Sequence, residues 1–149
     1  MSSKFQESIV KFNKMYGLPT PPVPVISREQ FPDPMMLIDR LAKFKLILLE
    51  EIDEVHALQV SINRGASEID ILTELADWLG DLQVYCASEM AKFGLDNDQV
   101  LDIIMQSNAS KLGEDGKPIT DERGKVLKGP GYWKPEPMIK KYIEFARNS

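Results

Sequence analysis

The spacing of apolar residues along the chain predicts an all-α, bundle-like protein. Apolar side chains recur at three- and four-residue intervals, which is the period of an α-helix. Ser67 supplies an N-cap, and Gly17, Gly65 and Gly94 stand where helices would end. The pattern predicts a four-helix bundle with helices over about 3–16, 34–63, 67–93 and 97–110, and residues 137–147 could form a last short helix.

Two stretches break the helical pattern. Residues 18–34 contain six prolines and should be extended, either as a stiff connector or as a strap closing over a ligand. Residues 117–128 predict two short strands around a turn, although an irregular loop fits nearly as well. We therefore expect one domain over 1–149, with an N-terminal helix and strap (1–33), a helical core (34–110) and a C-terminal extension (111–149).

A glutamate interrupts the apolar stripe of the second predicted helix. The stripe skips only the position of Glu51 and is formed by Leu37, Leu41, Phe44, Leu48, Val55, Leu58 and Ile62. Burial of an unpaired carboxylate costs several kcal/mol. A carboxylate at this position should therefore be protonated, paired with a cation or bound to a metal.

The surrounding sequence offers few cations. Residues 46–91 contain ten acidic residues and one formally cationic residue, Arg64. On the third helix, acids at steps of four, three and four share one face and repel one another (Asp70, Glu74, Asp77 and Asp81). Because hard divalent cations prefer carboxylate oxygens, the region favours binding of Mg²⁺ or Mn²⁺.

Spacing also brings the acidic clusters together. Glu50, Glu51 and Glu54 lie within about 100° of helix circumference, and antiparallel packing of the second and third helices would turn Glu74 and Asp77 toward them. Such a set could hold two or more Mg²⁺ ions, as phosphoryl chemistry requires. The alternative for such a pattern is a solvated acidic face.

Overall composition narrows the class of partner. The net charge of −5 and pI of about 5.0 argue against a general binder of nucleic-acid polymers or membrane surfaces. From Asn108 onward, nine Lys and Arg face six Asp and Glu, so an acidic centre and a basic tail suit a metal-bound polyanion such as a nucleotide. The single cysteine, Cys86, lies on an apolar stripe and is expected to be buried. No signal peptide or membrane span is apparent, and we expect a cytoplasmic protein.

The acidic motifs resemble those of a known superfamily. The pair Glu50-Glu51-x-x-Glu54 and Glu74-x-x-Asp77 is similar to that of the all-α nucleotide pyrophosphohydrolases, which include MazG, phosphoribosyl-ATP pyrophosphohydrolase and dimeric dUTPase. The stretches 107–113, 116–118 and 128–132 look like the longer MazG-like branch. The resemblance implies a Mg²⁺-dependent enzyme that cleaves the α–β phosphoanhydride of a nucleoside triphosphate into monophosphate and pyrophosphate.

The resemblance also implies roles for individual residues. The implied metal ligands are Glu50, Glu51, Glu54, Glu74 and Asp77. Asp81 is an additional acid, so either aspartate could complete the metal site. Glu50 or Glu51 would orient or deprotonate the attacking water. Asn108, Lys111, Lys128 and Tyr132 would contact the base or the phosphates.

Several alternatives stay open at this stage. Phosphoribosyl-ATP could be the substrate, or the acidic face could bind a basic protein partner without catalysis. A di-iron oxidase is disfavoured because the chain contains one histidine, His56. Two aromatic pairs, Trp78 with Tyr85 and Phe12 with Tyr16, are expected to pack rather than stack on a base. We expect a homodimer or homotetramer, and no residue identifies the base or the sugar.

Overall fold

The computed structural model describes residues 3–149, and this part of the chain forms six helices. They are α1 (Lys4–Met15), α2 (Pro34–Asp53), α3 (Val55–Asn63), α4 (Glu68–Lys92), α5 (Asn97–Ala109) and α6 (Glu136–Arg147). The all-α prediction is confirmed. Within residues 3–149, no helix combines the length and apolar character needed to cross a bilayer.

Polar side chains define where the main helices begin. Ser67 accepts a hydrogen bond from the backbone N–H of Asp70, as its spacing predicted, and Ser3 accepts one from Gln6. Helix α4 is the longest helix and contacts α1, α2, α3 and α5, whereas α6 packs on α5. Helix α4 therefore connects the acidic region to the rest of the fold.

The small hydrophobic core lies between α1 and the C-terminal part of α4. Ile9 packs against Ala87 and Ala91, and the small alanine side chains allow the two helices to approach closely. Beside them, Asn13 is fully buried and exchanges two hydrogen bonds with Ser88, a donation to its carbonyl at 3.1 Å and an acceptance from its hydroxyl at 2.6 Å. The buried polar groups are thus satisfied.

The proline-rich segment packs over the C-terminal end of α4. The Val25 N–H donates to the Phe93 carbonyl at 3.0 Å, and the Phe31 and Phe93 rings stack 6.0 Å apart. Gly94 ends the helix with φ of 71°, and a Cβ on this residue would overlap the Val23 carbonyl. These contacts match the predicted stiff connector.

The prediction of one unbroken helix over 34–63 is wrong. Helix α2 ends at Asp53 and α3 begins at Val55. At the break, the Glu51 carbonyl accepts the Glu54 N–H at 3.2 Å and also the indole N–H of Trp78 at 2.9 Å. A side-chain donor that enters the backbone ladder is a known cause of helix breaks.

The predicted burial of the apolar stripes is only partly correct. Leu58 is buried, but Leu41, Ile62, Leu72 and Leu79 are exposed in the single chain, and Glu51 is half-buried. Cys86 is exposed, so its predicted burial is wrong. On α4, helix α1 covers the face that carries Ala87 and Ala91, and this leaves the neighbouring face with Cys86 uncovered.

The C-terminal segment folds back on the end of α5 before α6. Its predicted strands are reduced to a single antiparallel bridge between Thr120 and Val126, closed by a turn in which the Gly124 N–H donates to Asp121 at 3.0 Å. The segment is therefore intermediate between the predicted hairpin and the irregular loop. The predicted last helix is present as α6.

Candidate metal centre

Three carboxylates from two separate segments meet beside the break between α2 and α3. One carboxylate oxygen from each of Glu51, Glu54 and Asp81 lies within 4.8 Å of the other two. Glu51 is in the last turn of α2, Glu54 occupies the break and Asp81 is in the middle of α4. The packing of α4 against α2 and α3 therefore creates the cluster.

Among the residues that the structure describes, no Lys or Arg side chain forms an ion pair with these three carboxylates. The pKa of Glu54 is raised, first by the negative charge of Glu51, then by lost hydration and a hydrogen bond with Glu51, and further by Asp81 and Asp77. The cluster is thus a site of concentrated negative charge that the described cations leave uncompensated.

Tyr85 borders the same cluster. Its pKa is raised, chiefly by hydrogen bonding to Glu51, then by burial and by the charges of Glu51, Asp81 and Glu54. Its side chain is partly exposed and lines the cavity described below, so the expectation that it packs in the core is wrong. Trp78 is half-buried.

The donor set fits a hard divalent cation. Carboxylate oxygens are the preferred ligands of Mg²⁺ and Mn²⁺, and three of them converge without a competing protein cation in the described chain. A bound cation would also relieve the repulsion that raises the pKa of Glu54. The residues present therefore suit a divalent metal ion.

The other predicted ligands are not among the three residues whose carboxylate oxygens lie within 4.8 Å of one another. Glu74 accepts a hydrogen bond from the Ser61 hydroxyl of α3 at 3.2 Å. Asp77 is close enough to contribute to the raised pKa of Glu54. Glu50 is exposed on α2. The structure thus brings Asp81, rather than Asp77, closest to Glu51 and Glu54.

A cavity of about 700 Å³ opens beside the cluster. Glu51, Glu54 and Asp81 line it together with cationic and aromatic side chains, namely Arg40, Lys92, Phe12, Tyr16 and Tyr85. The Phe12 and Tyr16 rings contact each other with their centres 4.8 Å apart, in line with the expected packing, but Tyr16 remains 65% exposed. The cavity therefore combines acidic, basic and aromatic surfaces.

Glu89, a further acid of the cavity wall, is compensated. Its carboxylate accepts hydrogen bonds from Arg40, through Nε at 3.0 Å and through NH2, and from Lys92 at 3.2 Å. Arg40 and Lys92 lie just outside the stretch 46–91 in which the sequence offers one cation. Two cations from outside that stretch therefore neutralise one of its ten acids, Glu89.

The four predicted substrate contacts lie elsewhere in the chain. Lys128 stands 5.0 Å from the centre of the Tyr132 ring, the Gly129 N–H donates to the Lys111 carbonyl, and Asn108 is exposed near the end of α5. None of Asn108, Lys111, Lys128 and Tyr132 lines the cavity. The structure groups three of these residues in the C-terminal segment and does not bring them to the acidic cluster in one chain.

Sequence reasoning missed two features of this region. The pairing of Arg40 with Glu89 has no local signal, because only the packing of α2 on α4 brings them together, whereas Lys92 follows Glu89 by three residues on the same helix and was recognisable from that spacing. The indole contact of Trp78 with Glu51 spans 27 residues and likewise has no sequence signal.

Comparison with known proteins identifies the fold. No family model matches the chain, and no curated protein matches it significantly. Among solved structures, the chain is similar to a candidate NTP pyrophosphohydrolase from Exiguobacterium sp. 255-15, with 20% identity and a TM-score of 0.55. The match covers 99% of this chain and 98% of that protein. The two proteins therefore share a fold over almost their entire lengths.

Proposed function

We propose that this protein is a divalent-metal-dependent nucleoside triphosphate pyrophosphohydrolase. The observation that carries the proposal is the cluster of Glu51, Glu54 and Asp81, which faces a cavity and lacks a compensating cation in the described chain. Enzymes commonly bind phosphate groups, and neutralise their charge, with divalent cations that are held by carboxylates.

The cavity supports a nucleotide as the ligand. Its volume of about 700 Å³ falls in the range of small-molecule sites. The exposed faces of Phe12 and Tyr16 offer a surface for a base, and the acidic cluster offers a place for metal-complexed phosphates. The shared fold with a candidate NTP pyrophosphohydrolase agrees with this reading.

In this proposal the metal ligands are Glu51, Glu54 and Asp81, with Glu50, Glu74 and Asp77 as the further ligands that the motif resemblance implies. Two or more Mg²⁺ or Mn²⁺ ions would neutralise phosphate charge and lower the pKa of a bound water. Glu51, or Glu50, orients the attacking water and accepts its proton. The water oxygen bonds to the α-phosphorus, and the α–β bridging oxygen leaves with pyrophosphate.

The physiological role we infer is removal of noncanonical or excess nucleotides from the cytoplasmic pool. The exposed apolar faces of α2, α3 and α4 support assembly as a homodimer or homotetramer. Asn108, Lys111, Lys128 and Tyr132 remain predicted substrate contacts, and we assign them no chemical step.

The test is a panel of nucleoside and deoxynucleoside triphosphates, with phosphoribosyl-ATP included, incubated with the protein and Mg²⁺. We expect pyrophosphate as the product, and in water labelled with ¹⁸O the label should enter the monophosphate. Release of orthophosphate alone, or no turnover of any triphosphate, would contradict the reaction.

A matched pair of variants links the activity to the cluster. Asp81→Asn should lose turnover because it removes a charged ligand. Asp102→Asn changes an exposed aspartate of α5 that bonds only to Gln106, and it should retain turnover. Equal activity of the two variants would argue against the cluster as the catalytic metal site.

A further inference from the structure

Trp78 makes an unusual contact with the backbone of a candidate metal ligand. Its indole Nε1–H donates a hydrogen bond of 2.9 Å to the main-chain carbonyl of Glu51, across 27 residues of sequence. Trp78 is on α4, one residue after Asp77 and three before Asp81. The contact thus connects the segment that carries Asp81 with the segment that carries Glu51.

The Glu51 carbonyl also accepts the backbone N–H of Glu54 at 3.2 Å. This bond spans three residues instead of four, so it tightens the chain as in a 3₁₀ turn. No glycine or proline lies between residues 50 and 57, and the indole is the side-chain donor present at the break. A donor inserted into the ladder accounts for the end of α2 at this position.

We propose that Trp78 is a positioning residue for the metal centre. Its indole N–H holds the tight turn of Glu51 and Glu54 against α4 and so keeps both carboxylates beside Asp81. The inference rests on the proposed function, since the centre is a metal site only in that proposal. Trp78 itself does not line the cavity.

The need for such a contact follows from charge. Glu51, Glu54 and Asp81 repel one another in the absence of a cation, and Glu54 and Asp81 lie on different segments of the chain. A neutral hydrogen bond between the same segments opposes this repulsion. Outer contacts that orient metal ligands typically change metal affinity by roughly 10–100-fold when they are removed.

The experiment measures Mn²⁺ binding to the purified chain by the electron paramagnetic resonance signal of free Mn²⁺. Trp78→Phe should weaken binding by about tenfold or more, the effect expected for loss of an orienting contact. The matched control is Trp133→Phe, which removes the other tryptophan, and this residue lies beside Ser107 and Ser110 outside the cavity. The control should bind Mn²⁺ like the wild-type chain.

A second variant separates the lost hydrogen bond from lost volume. In the Trp133→Phe background, Trp78 is the only tryptophan and can be replaced biosynthetically by 3-benzothienylalanine, which has nearly the same shape but no N–H. We expect the same loss of Mn²⁺ affinity, in a metal-free chain that keeps its helical content. Amide hydrogen exchange over residues 51–57 of the metal-free chain should change in both Trp78 variants, because both lack the indole N–H, and should stay unchanged in Trp133→Phe.

The outcomes distinguish this inference from the proposed function. If the wild-type chain binds Mn²⁺ and the benzothienyl variant binds it equally well, the role of Trp78 is overturned and the proposed function stands. If the wild-type chain binds no Mn²⁺, the proposed function fails, and the metal role of Trp78 fails with it. Weaker binding by both Trp78 variants, with normal binding by Trp133→Phe, supports the inference.

Discussion

The two halves of helix α4 differ in how many of their apolar and acidic side chains find a partner within one chain. In the C-terminal half (82–92), Ala87 and Ala91 pack on α1, Ser88 bonds to Asn13, and Glu89 is paired with two cations. In the N-terminal half (68–81), Ile69 and Leu72 are exposed, and Asp81 adjoins two further carboxylates.

This difference distinguishes an acid of α4 that is in ion pairs from one that has none in the described chain. Glu89 and Asp81 lie on the same helix and line the same cavity. Glu89 is buried among cations and stabilises the fold, whereas Asp81 lacks a protein cation in the described chain. The acid and the alanines of the C-terminal half of α4 find their partners within one chain. The metal ion and the second copy of the protein that we propose would both contact the N-terminal half.

The largest expected effect is on catalysis at the N-terminal half. Glu51→Gln should lower metal-dependent turnover by roughly 1,000-fold, because bound metal ions contribute several kcal/mol to transition-state stabilisation. The metal-free variant should unfold at the same temperature as the wild-type chain or higher, since repulsion is relieved. Pyrophosphate release and thermal unfolding measure the two effects. Full activity of Glu51→Gln would remove Glu51 from the mechanism.

The next effect concerns stability at the C-terminal half. Glu89→Gln should lower the free energy of unfolding by about 3 kcal/mol, because Arg40 and Lys92 lose their partner in a largely buried site. Urea denaturation measures this change. Glu122→Gln, on an exposed turn, is the control and should change stability by less than about 0.5 kcal/mol. If Glu89→Gln were as stable as this control, the contrast between the two halves would be lost.

A smaller effect is expected on assembly. Leu72 is 56% exposed in the single chain, so Leu72→Lys should leave the helical content unchanged but shift sedimentation toward the monomer. Ile26→Lys, at an equally exposed position in the proline-rich segment, should sediment like the wild-type chain. A wild-type chain that is monomeric at all concentrations would contradict the assembly proposal.

The smallest effect is a pH dependence just beyond the C-terminal end of α4. Burial raises the pKa of Tyr142, whose hydroxyl accepts the Asp96 N–H at 2.9 Å. Since the folded pKa lies above the ordinary value of 10.0, this contribution to stability is present below pH 10.0 and is lost as the pH rises through the folded pKa.

The measurement for Tyr142 is urea denaturation at increasing pH, starting below the ordinary pKa of 10.0 and continuing above it. The wild-type chain should lose more stability over this range than Tyr142→Phe, and the difference between the two isolates Tyr142 from other titrating groups. Parallel curves would show that Tyr142 ionises equally in the folded and unfolded chains.

The sequence was most informative where structure depends on neighbouring residues. Ser67 and Gly94 mark the two ends of α4, and both act through local hydrogen bonding and backbone conformation. The apolar period also identified which segments are helical. It could not show which apolar face is covered, because coverage of Ala87 and exposure of Cys86 depend on where α1 packs.

The candidate site was predictable in its chemistry but only partly in its geometry. The excess of acids between residues 46 and 91 pointed to a cation site, and Glu51, Glu54 and Asp81 were among the predicted ligands. The grouping of Asp81 with Glu51 and Glu54 depends on the packing of α4 on α2. The break at Glu54 involves the indole of Trp78, a donor 27 residues from Glu51. No local sequence pattern predicts a contact over that distance.

Gly94 has a consequence for how the size of the cavity can change. It ends α4 so close to the Val23 carbonyl that a Cβ would not fit between them. Val23 belongs to the proline-rich segment, which leads from Leu18, a residue of the cavity wall, toward α2. A larger side chain at Gly94 would displace that segment and, with it, one wall of the cavity. The shape of the cavity therefore depends on a residue that does not itself line it.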